Sequence, residues 1–135
     1  MQMRSHVKNS CETVNKGGTA YQGQLLKDEL LSTYTTWRVG GRASKLYKPR
    51  GMEDLRLFIR GVPKGEPLLW LGLGSNSLIR DSGFPGTVIL TQGGLKEINL
   101  VNNETVRVEA GVSCATMARF CARANLSGGE FWAGI

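Results

Sequence analysis

The sequence predicts an α+β fold with two subregions that meet near residue 91. In the first subregion a strand-like run, an amphipathic stripe and a second apolar run follow one another, an order typical of a parallel βαβ unit. In the second, two alternating runs flank Asn102 and Asn103, as in a half-exposed antiparallel hairpin. The chain has 135 residues, of which 41% are hydrophobic, so it is long enough to build one domain with a core.

The first elements follow from periodicity and from the positions of glycine and proline. Residues 1–22 are polar and aperiodic, and we expect them to be a mobile leader. A short helix is predicted over residues 24–31, followed by an extended segment over residues 35–41 that turns at a double glycine. Residues 43–48 alternate as a strand does, and Pro49 closes that strand.

The next elements complete the first subregion. An amphipathic helix is predicted over residues 52–62, because acids occupy its first turn and apolar residues recur at i, i+3, i+4 and i+7. Strands are predicted over residues 67–71 and 87–90, with a glycine-rich loop between them.

The second subregion is expected to contain a hairpin and a helix. The hairpin strands are predicted over residues 95–100 and 104–110. Ser113 is placed to cap a helix over residues 114–125, which the glycines at 128–129 end.

Cysteine and histidine usage bears on compartment and metal binding. Cys114 and Cys121 lie seven residues apart on one helical face, so buried thiols in a core stripe are expected. The chain's three cysteines and single histidine have no spacing that suits a metal site. No apolar run approaches the length of a membrane span, and the N-terminus lacks the apolar region of a signal peptide. We therefore expect no metal, no membrane segment and a reducing, cytoplasmic location.

The formal net charge of +6 includes one dense basic patch. It is compatible with a solvated face, with attraction to a small polyanionic substrate or cofactor, or with nucleic-acid binding. Aromatic residues make up only 7%, and no RNA-recognition, KH or helix-turn-helix signature is present, which disfavours nucleic acid. The patch consists of Arg38, Arg42, Lys45, Lys48 and Arg50.

The glycine-rich loop is the candidate functional site, with the sequence Gly72-Leu73-Gly74-Ser75-Asn76-Ser77. Successive N–H groups in such a loop can form an anion-binding concavity, which predicts the phosphate of a nucleotide or dinucleotide. A Rossmann fingerprint would need a third glycine where Ser77 stands, and a helix for which Gly83, Pro85 and Gly86 leave little room. No P-loop sequence occurs in the chain. A strand–loop–strand phosphate cradle and a plain turn both remain open.

Four motifs in register extend this interpretation: Thr35-Thr-Trp-Arg-Val-Gly-Gly41, Leu71-Gly-Leu-Gly-Ser-Asn-Ser-Leu78, Glu109-Ala-Gly111 and Gly129-Glu-Phe-Trp-Ala-Gly-Ile135. In this order they closely resemble the start of the UDP-N-acetylenolpyruvoylglucosamine reductase (UDP-N-acetylmuramate dehydrogenase) family. The resemblance covers roughly residues 25–135. It implies an FAD-binding domain of the vanillyl-alcohol oxidase / p-cresol methylhydroxylase type, in which two α+β subdomains hold FAD between them.

The resemblance also assigns expected boundaries and cofactor contacts. The FAD-binding domain would span residues 23–135, with subdomain one over 23–91 and the start of subdomain two over 92–135. It would be truncated at its C-terminus, and the apolar final residues likewise suggest a piece of a longer protein. Gly72, Leu73, Gly74, Ser75, Asn76 and Ser77 would hold the FAD pyrophosphate, while Gly134 and Ile135 would begin a second flavin loop.

The activity implied by the resemblance is a two-step reduction in bacterial peptidoglycan synthesis. NADPH would reduce the flavin, which would then reduce the enolpyruvyl group of a UDP-sugar, in a monomeric cytoplasmic enzyme. The catalytic serine, arginine and glutamate of the family are expected beyond Ile135, so the fragment alone is expected to be inactive and to bind FAD weakly. Two alternatives remain: an FAD-dependent oxidase of the same superfamily with another substrate, and a basic RNA-binding module.

Overall fold

The computed structural model describes residues 21–134, so most of the predicted leader and Ile135 lie outside the described residues. Tyr21 packs against the core and the Gln22 N–H donates a 2.7 Å hydrogen bond to Asp54, so the packed part of the chain includes these two positions. The strands are β1 (Gln24–Leu30), β2 (Arg42–Lys48), β3 (Leu68–Leu71), β4 (Phe84–Leu90), β5 (Ile98–Leu100) and β6 (Val106–Val108). The helices are α1 (Met52–Gly61) and α2 (Cys114–Arg123), with 3-10 helices at Leu31–Tyr34 and Glu130–Gly134.

The first four strands form one sheet in the order β1-β2-β4-β3. β4 runs parallel to both β2 and β3, while β1 is antiparallel to β2. The prediction of a parallel βαβ unit is therefore confirmed in strand direction and in the helix between β2 and β3. The two strands of that unit are not neighbours, because β4 lies between them.

The helix predicted over residues 24–31 is wrong, because residues 24–30 form the edge strand β1. The pairing runs without a register shift from Gln24 opposite Lys48 to Leu30 opposite Arg42. Leu25 and Leu26 contact hydrophobic clusters on opposite faces of the sheet, as successive residues of a strand do. Burial on two faces outweighs the helix propensity of this leucine-rich run.

Each face of the sheet has its own hydrophobic cluster. On one face α1 covers Tyr47 and Ile89 with Leu55 and Phe58, and the Tyr47 and Phe58 rings stack with centroids 3.7 Å apart. Within residues 21–134 no α-helix covers the other face, although the 3-10 helix Leu31–Tyr34 packs against it. Its cluster contains Leu26, Leu31, Ala43, Leu46, Leu71, Val88 and Leu90.

Two connecting segments cover the face opposite α1. The first, residues 31–41, leaves the sheet after β1 and returns before β2, and the Leu31 N–H closes its base on the Gly41 carbonyl at 3.0 Å. We call it the excursion. The second, residues 72–83, connects the parallel neighbours β3 and β4 and is called the crossover. The crossover contains no helix, as predicted from its glycines and proline.

The second subregion matches its prediction in element type. β5 and β6 pair as an antiparallel hairpin. The Ser113 side chain accepts a hydrogen bond from the Thr116 N–H and caps α2, which ends at Arg123, two residues before the predicted end. No helix among residues 21–134 is long and apolar enough to cross a membrane.

The predicted core stripe of buried thiols is wrong. Cys114 is exposed and Cys121 is only half-buried, and α2 has no fully buried residue. The face of α2 that carries Met117 and Phe120 is half-buried and packs mainly against the 3-10 helix at Glu130–Gly134. The amphipathic spacing identified the helix correctly, but no element among residues 21–134 buries its inner face completely.

Candidate functional site

The glycine-rich loop offers an unbroken row of hydrogen-bond donors. Within residues 21–134, no backbone N–H from Gly72 to Asn76 donates a hydrogen bond. Gly74 is itself buried, whereas Ser75 and Asn76 are exposed. Backbone donors left unpaired next to solvent are the groups that bind an anion in glycine-rich loops. We call these five N–H groups the donor row.

The two glycines of the loop are required for different reasons. Gly74 has φ +67°, and a Cβ there would lie 2.0 Å from the Tyr34 carbonyl oxygen, so the backbone of the excursion excludes a side chain. A Cβ at Gly72 would meet only the Thr91 hydroxyl, at 3.9 Å. Gly74 therefore serves the packing of the protein itself. The space at Gly72 is open and available to a ligand.

The polar side chains of the loop lie beside the donor row. Ser77 is half-buried and Leu73 is 48% exposed. Asn76 and Ser77 line a cavity of about 420 Å³ that is also lined by Leu69, Leu71 and Phe84. The predicted residues 72–77 are thus brought together at the C-terminal end of β3, where ligands bind in open sheets with parallel strands.

Sequence reasoning missed that the excursion forms part of this site. The Thr36 N–H donates to the Gly74 carbonyl at 3.0 Å, and the Gly41 N–H donates to the Arg80 carbonyl at 2.9 Å. The two segments therefore lie side by side along much of their length. The double glycine at 40–41 was a signal for this contact, because a Cβ on Gly41 would lie 2.0 Å from the Asp81 carbonyl oxygen.

The predicted second flavin loop is only partly described. Gly134 ends the 3-10 helix Glu130–Gly134, is exposed, and has open space around its Cα, while Ile135 lies outside the described residues. Among residues 21–134, no hydrogen bond joins this 3-10 helix to the loop at 72–77. The structure does not bring Gly134 into bonded contact with the first loop.

Much of the basic patch is engaged within the protein. Arg42 pairs with Asp28 at 3.3 Å, and the Lys48 ammonium lies 4.9 Å from the centroid of the Tyr34 ring. Lys45 binds both carboxylate oxygens of Glu66 at 2.9 and 3.0 Å. Three of the five cations are thus engaged within the protein, which leaves fewer free cations for nucleic acid, whose binding depends on them.

The carboxylate of Glu66 holds one of these cations, Lys45, in place. The Thr87 hydroxyl, followed by the Lys45 ammonium, donates hydrogen bonds that lower the pKa of Glu66 despite its burial. A carboxylate that stays charged keeps Lys45 paired on the α1 side of the sheet. No group of three or more histidine, cysteine or acidic residues that could hold a metal ion occurs among residues 21–134.

The fold and the donor row define a domain that presents backbone donors to an anion at the carboxyl end of a parallel strand. Comparison with protein families gives the class: residues 43–135 match the FAD binding domain family, and the chain belongs to that family. The loop fits the diphosphate of such a cofactor, because its free N–H groups are donors and the open side of Gly72 leaves room for close approach.

Within that family the similar proteins are reductases of one kind. A UDP-N-acetylenolpyruvoylglucosamine reductase from Legionella pneumophila (strain Corby) is 69% identical over 117 residues, covering 87% of this chain and 38% of the relative. One of the same name from Alkalilimnicola ehrlichii is 52% identical over 113 residues, covering 84% and 38%. The chain thus spans less than two fifths of the length of these curated relatives.

A solved structure agrees with the sequence relatives. The crystal structure of UDP-N-acetylenolpyruvylglucosamine reductase (MurB) from Thermus caldophilus superposes with a TM-score of 0.56 at 33% sequence identity. The match covers 84% of this chain and 38% of that protein. The expected flavin-domain fold is therefore confirmed for the part of the chain that the structure describes.

Proposed function

We propose that this chain is part of an FAD-dependent oxidoreductase that reduces UDP-N-acetylenolpyruvoylglucosamine to UDP-N-acetylmuramate with NADPH, and that residues 72–77 bind the FAD diphosphate. The observation that carries the proposal is the donor row from Gly72 to Asn76. A diphosphate carries about two negative charges, and hydrogen bonds to a charged acceptor are roughly twice as strong as neutral ones. The high identity to the named reductases supports the substrate.

The residues of this chain have binding roles in the proposed reaction. When bound, FAD would supply the hydride chemistry between NADPH and the substrate double bond. The N–H groups at 72–76 would hold the diphosphate, and Ser75, Asn76 and Ser77 would add short side-chain donors beside it. Gly134 and Ile135 would begin a second flavin contact.

The wider assignment follows from the same relatives. The enzyme would work in the cytoplasm, as a monomer, in cell-wall peptidoglycan synthesis, with a UDP-sugar and NADPH as its partners. Catalytic groups would come from the part of the relatives that this chain does not span. In this proposal the described chain binds the cofactor and carries out no reaction of its own.

A chimera provides the direct test of the proposal. This chain is joined to the part of the Legionella pneumophila relative that lies beyond the 117 matched residues, and the product is called the chimera. We expect a yellow protein that oxidises NADPH only when UDP-N-acetylenolpyruvoylglucosamine is present. A folded but colourless chimera would overturn the proposal.

The same preparation separates the alternatives. Oxygen consumption that depends on another substrate and needs no NADPH would favour an oxidase of the same superfamily. Salt-dependent retention of RNA without bound flavin would favour a basic RNA-binding module. The 135-residue chain alone is titrated in parallel, and we expect weak or absent FAD binding because the second flavin loop is incomplete.

A further inference from the structure

The tip of the excursion is a tight turn next to the glycine-rich loop. The Arg38 N–H donates to the Thr35 carbonyl at 3.2 Å, and the Thr35 hydroxyl donates to the Val39 carbonyl at 3.1 Å. The Thr36 N–H is bonded to Gly74, the central residue of the donor row. Residues 35–39, called the tip, are therefore fixed in place beside the five free N–H groups.

Four of the ten exposed large apolar side chains among residues 21–134 lie on the tip and the crossover. Trp37 is 66% exposed and Val39 40%, and they lie between the buried residues Thr35 and Gly40. On the crossover itself Leu73 is 48% exposed and Leu78 80%. Binding sites for small organic ligands combine such apolar surface with a few convergent donors. The donor row alone suits a bare anion, whereas this surface suits an anion that carries a ring.

Arg38 adds a charge and a strained backbone to the same turn. Its φ is +55°, in the left-handed region that costs an ordinary L-residue about 1 kcal/mol or more. Its side chain is exposed and makes no ion pair or hydrogen bond with another residue in the range 21–134. Residues with strained backbone cluster at active sites and ligand clamps. The guanidinium belongs to a residue two positions after Thr36, whose N–H is bonded to the Gly74 carbonyl, and it has no partner among residues 21–134.

From this arrangement we infer that the tip forms a second wall of the cofactor site, with Trp37 packing against an aromatic ring joined to the bound diphosphate and Arg38 facing its charge. The inference rests on the proposed function. The shared chemistry is a planar ring next to a diphosphate, which FAD offers twice, as adenine and as isoalloxazine. Stacking on an aromatic side chain suits either ring, because every such ring has a π-face.

The test measures FAD affinity in the chimera and in three variants. Trp37→Ala should weaken FAD binding about tenfold, the order of effect seen when a stacking aromatic is removed from a base. Trp37→Phe should recover most of that affinity, because it keeps a ring. Trp70→Ala is the matched control, since Trp70 is 53% exposed on β3 among α1 residues and is expected to leave FAD affinity unchanged.

Two smaller ligands identify which ring is contacted. ADP carries adenine and a diphosphate, and FMN carries isoalloxazine and one phosphate. A loss of affinity for ADP in Trp37→Ala places adenine on Trp37, and a loss for FMN places the isoalloxazine there. Urea unfolding midpoints of all variants confirm that the exposed substitutions leave the fold intact.

The outcomes separate this inference from the proposed function. A chimera that binds no FAD overturns both. A chimera that binds FAD with the same affinity as Trp37→Ala overturns only the contact at Trp37, and an equal loss in Trp70→Ala would show that the effect is not local to the tip.

Discussion

The Thr91 hydroxyl lies 3.1 Å from the Ala110 carbonyl oxygen and joins the two subregions of the chain. Thr91 is the buried residue that directly follows β4, and its N–H donates to the Leu71 carbonyl at 2.9 Å. Its own carbonyl accepts from the Leu95 N–H at 3.1 Å. One side chain and its backbone therefore connect the end of β3, where the glycine-rich loop begins, to the hairpin of the second subregion.

Replacing Thr91 by valine should weaken this connection. Valine keeps the shape but removes the hydroxyl donor to Ala110, which should lower the free energy of unfolding by about 1 to 2 kcal/mol. Thr91→Ser restores the hydroxyl and should recover part of the loss. Urea unfolding of the 135-residue chain measures both. A Thr91→Val variant as stable as the parent would show that water satisfies Ala110 in the absence of Thr91.

Substitutions at the two loop glycines should affect different properties, namely stability at Gly74 and FAD binding at Gly72. Gly74→Ala should destabilise the fold by about 3 kcal/mol or more, because the new Cβ overlaps the Tyr34 carbonyl oxygen at a positive φ. Gly72→Val should leave stability nearly unchanged, since a Cβ there has an open environment, yet it should weaken FAD binding to the chimera at least about tenfold, or 1.4 kcal/mol. Thermal unfolding and FAD titration give the two readouts. Unchanged FAD affinity in a folded Gly72→Val variant would contradict the assignment of this space to the ligand.

The carboxylate of Asp54 should make the fold sensitive to acid. Burial would raise the pKa of Asp54, but hydrogen bonds from Arg50 N–H, the Tyr47 hydroxyl, and Gln22 and Gly23 N–H outweigh it and lower the pKa below 3.8. A depressed pKa in the folded state stabilises the protein above pH 3.8, and this stabilisation is lost as the pH falls below that value.

Asp54→Asn tests this dependence. At pH 7 the variant should be less stable by about 2 to 3 kcal/mol, because an amide cannot accept the same set of donors. The difference between parent and variant should shrink as the pH falls below about 4, because Asp54 of the unfolded parent takes up a proton there while the folded parent still holds its charge. Glu53→Gln, at the neighbouring exposed position, is the control and should change stability little. A difference that stays constant from pH 7 to pH 3 would argue against a depressed pKa.

Arg38→Gly should separate stability from binding at the tip. Glycine adopts φ +55° without strain, so the variant should be as stable as the parent or more stable, by up to about 1 kcal/mol. The same change removes the cation that we infer faces the diphosphate, so FAD binding to the chimera should weaken and depend less steeply on salt. Affinities measured at low and high ionic strength test the second part. Arg119→Gln is the control for the loss of one positive charge, because Arg119 is exposed on α2.

The two α-helices and the absence of a helix in the crossover could be predicted from the sequence because their signals are local. The stripe from Leu55 to Val62 and the cap at Ser113 each act within one or two turns of the chain, and the structure confirms both elements. The absence of a helix in the crossover followed from Gly83 and Pro85, which break helices wherever they occur.

The remaining features depend on partners distant in sequence. β1 was mistaken for a helix because its pairing with β2 and the burial of Leu26 cannot be read from seven residues alone. The hydrogen bond between Thr36 and Gly74 joins residues 38 positions apart in sequence. The sequence alone therefore indicates the loop and not its contact with the tip. Burial of Cys114 was expected from spacing, yet spacing gives the face of a helix and not whether a neighbouring element covers that face.

The position of β4 between β2 and β3 determines the order in which a growing chain can complete this sheet. β1 and β2 are neighbours and can pair once both have been made, whereas β3 has no neighbour until residues 84–90 have been made. The loop that begins at Gly72 continues directly from β3, so it gains its final geometry only with that late insertion. Nascent chains that end before Leu90 should therefore lack the proposed diphosphate site, and cofactor added during synthesis should bind only after β4 has paired with β2 and β3.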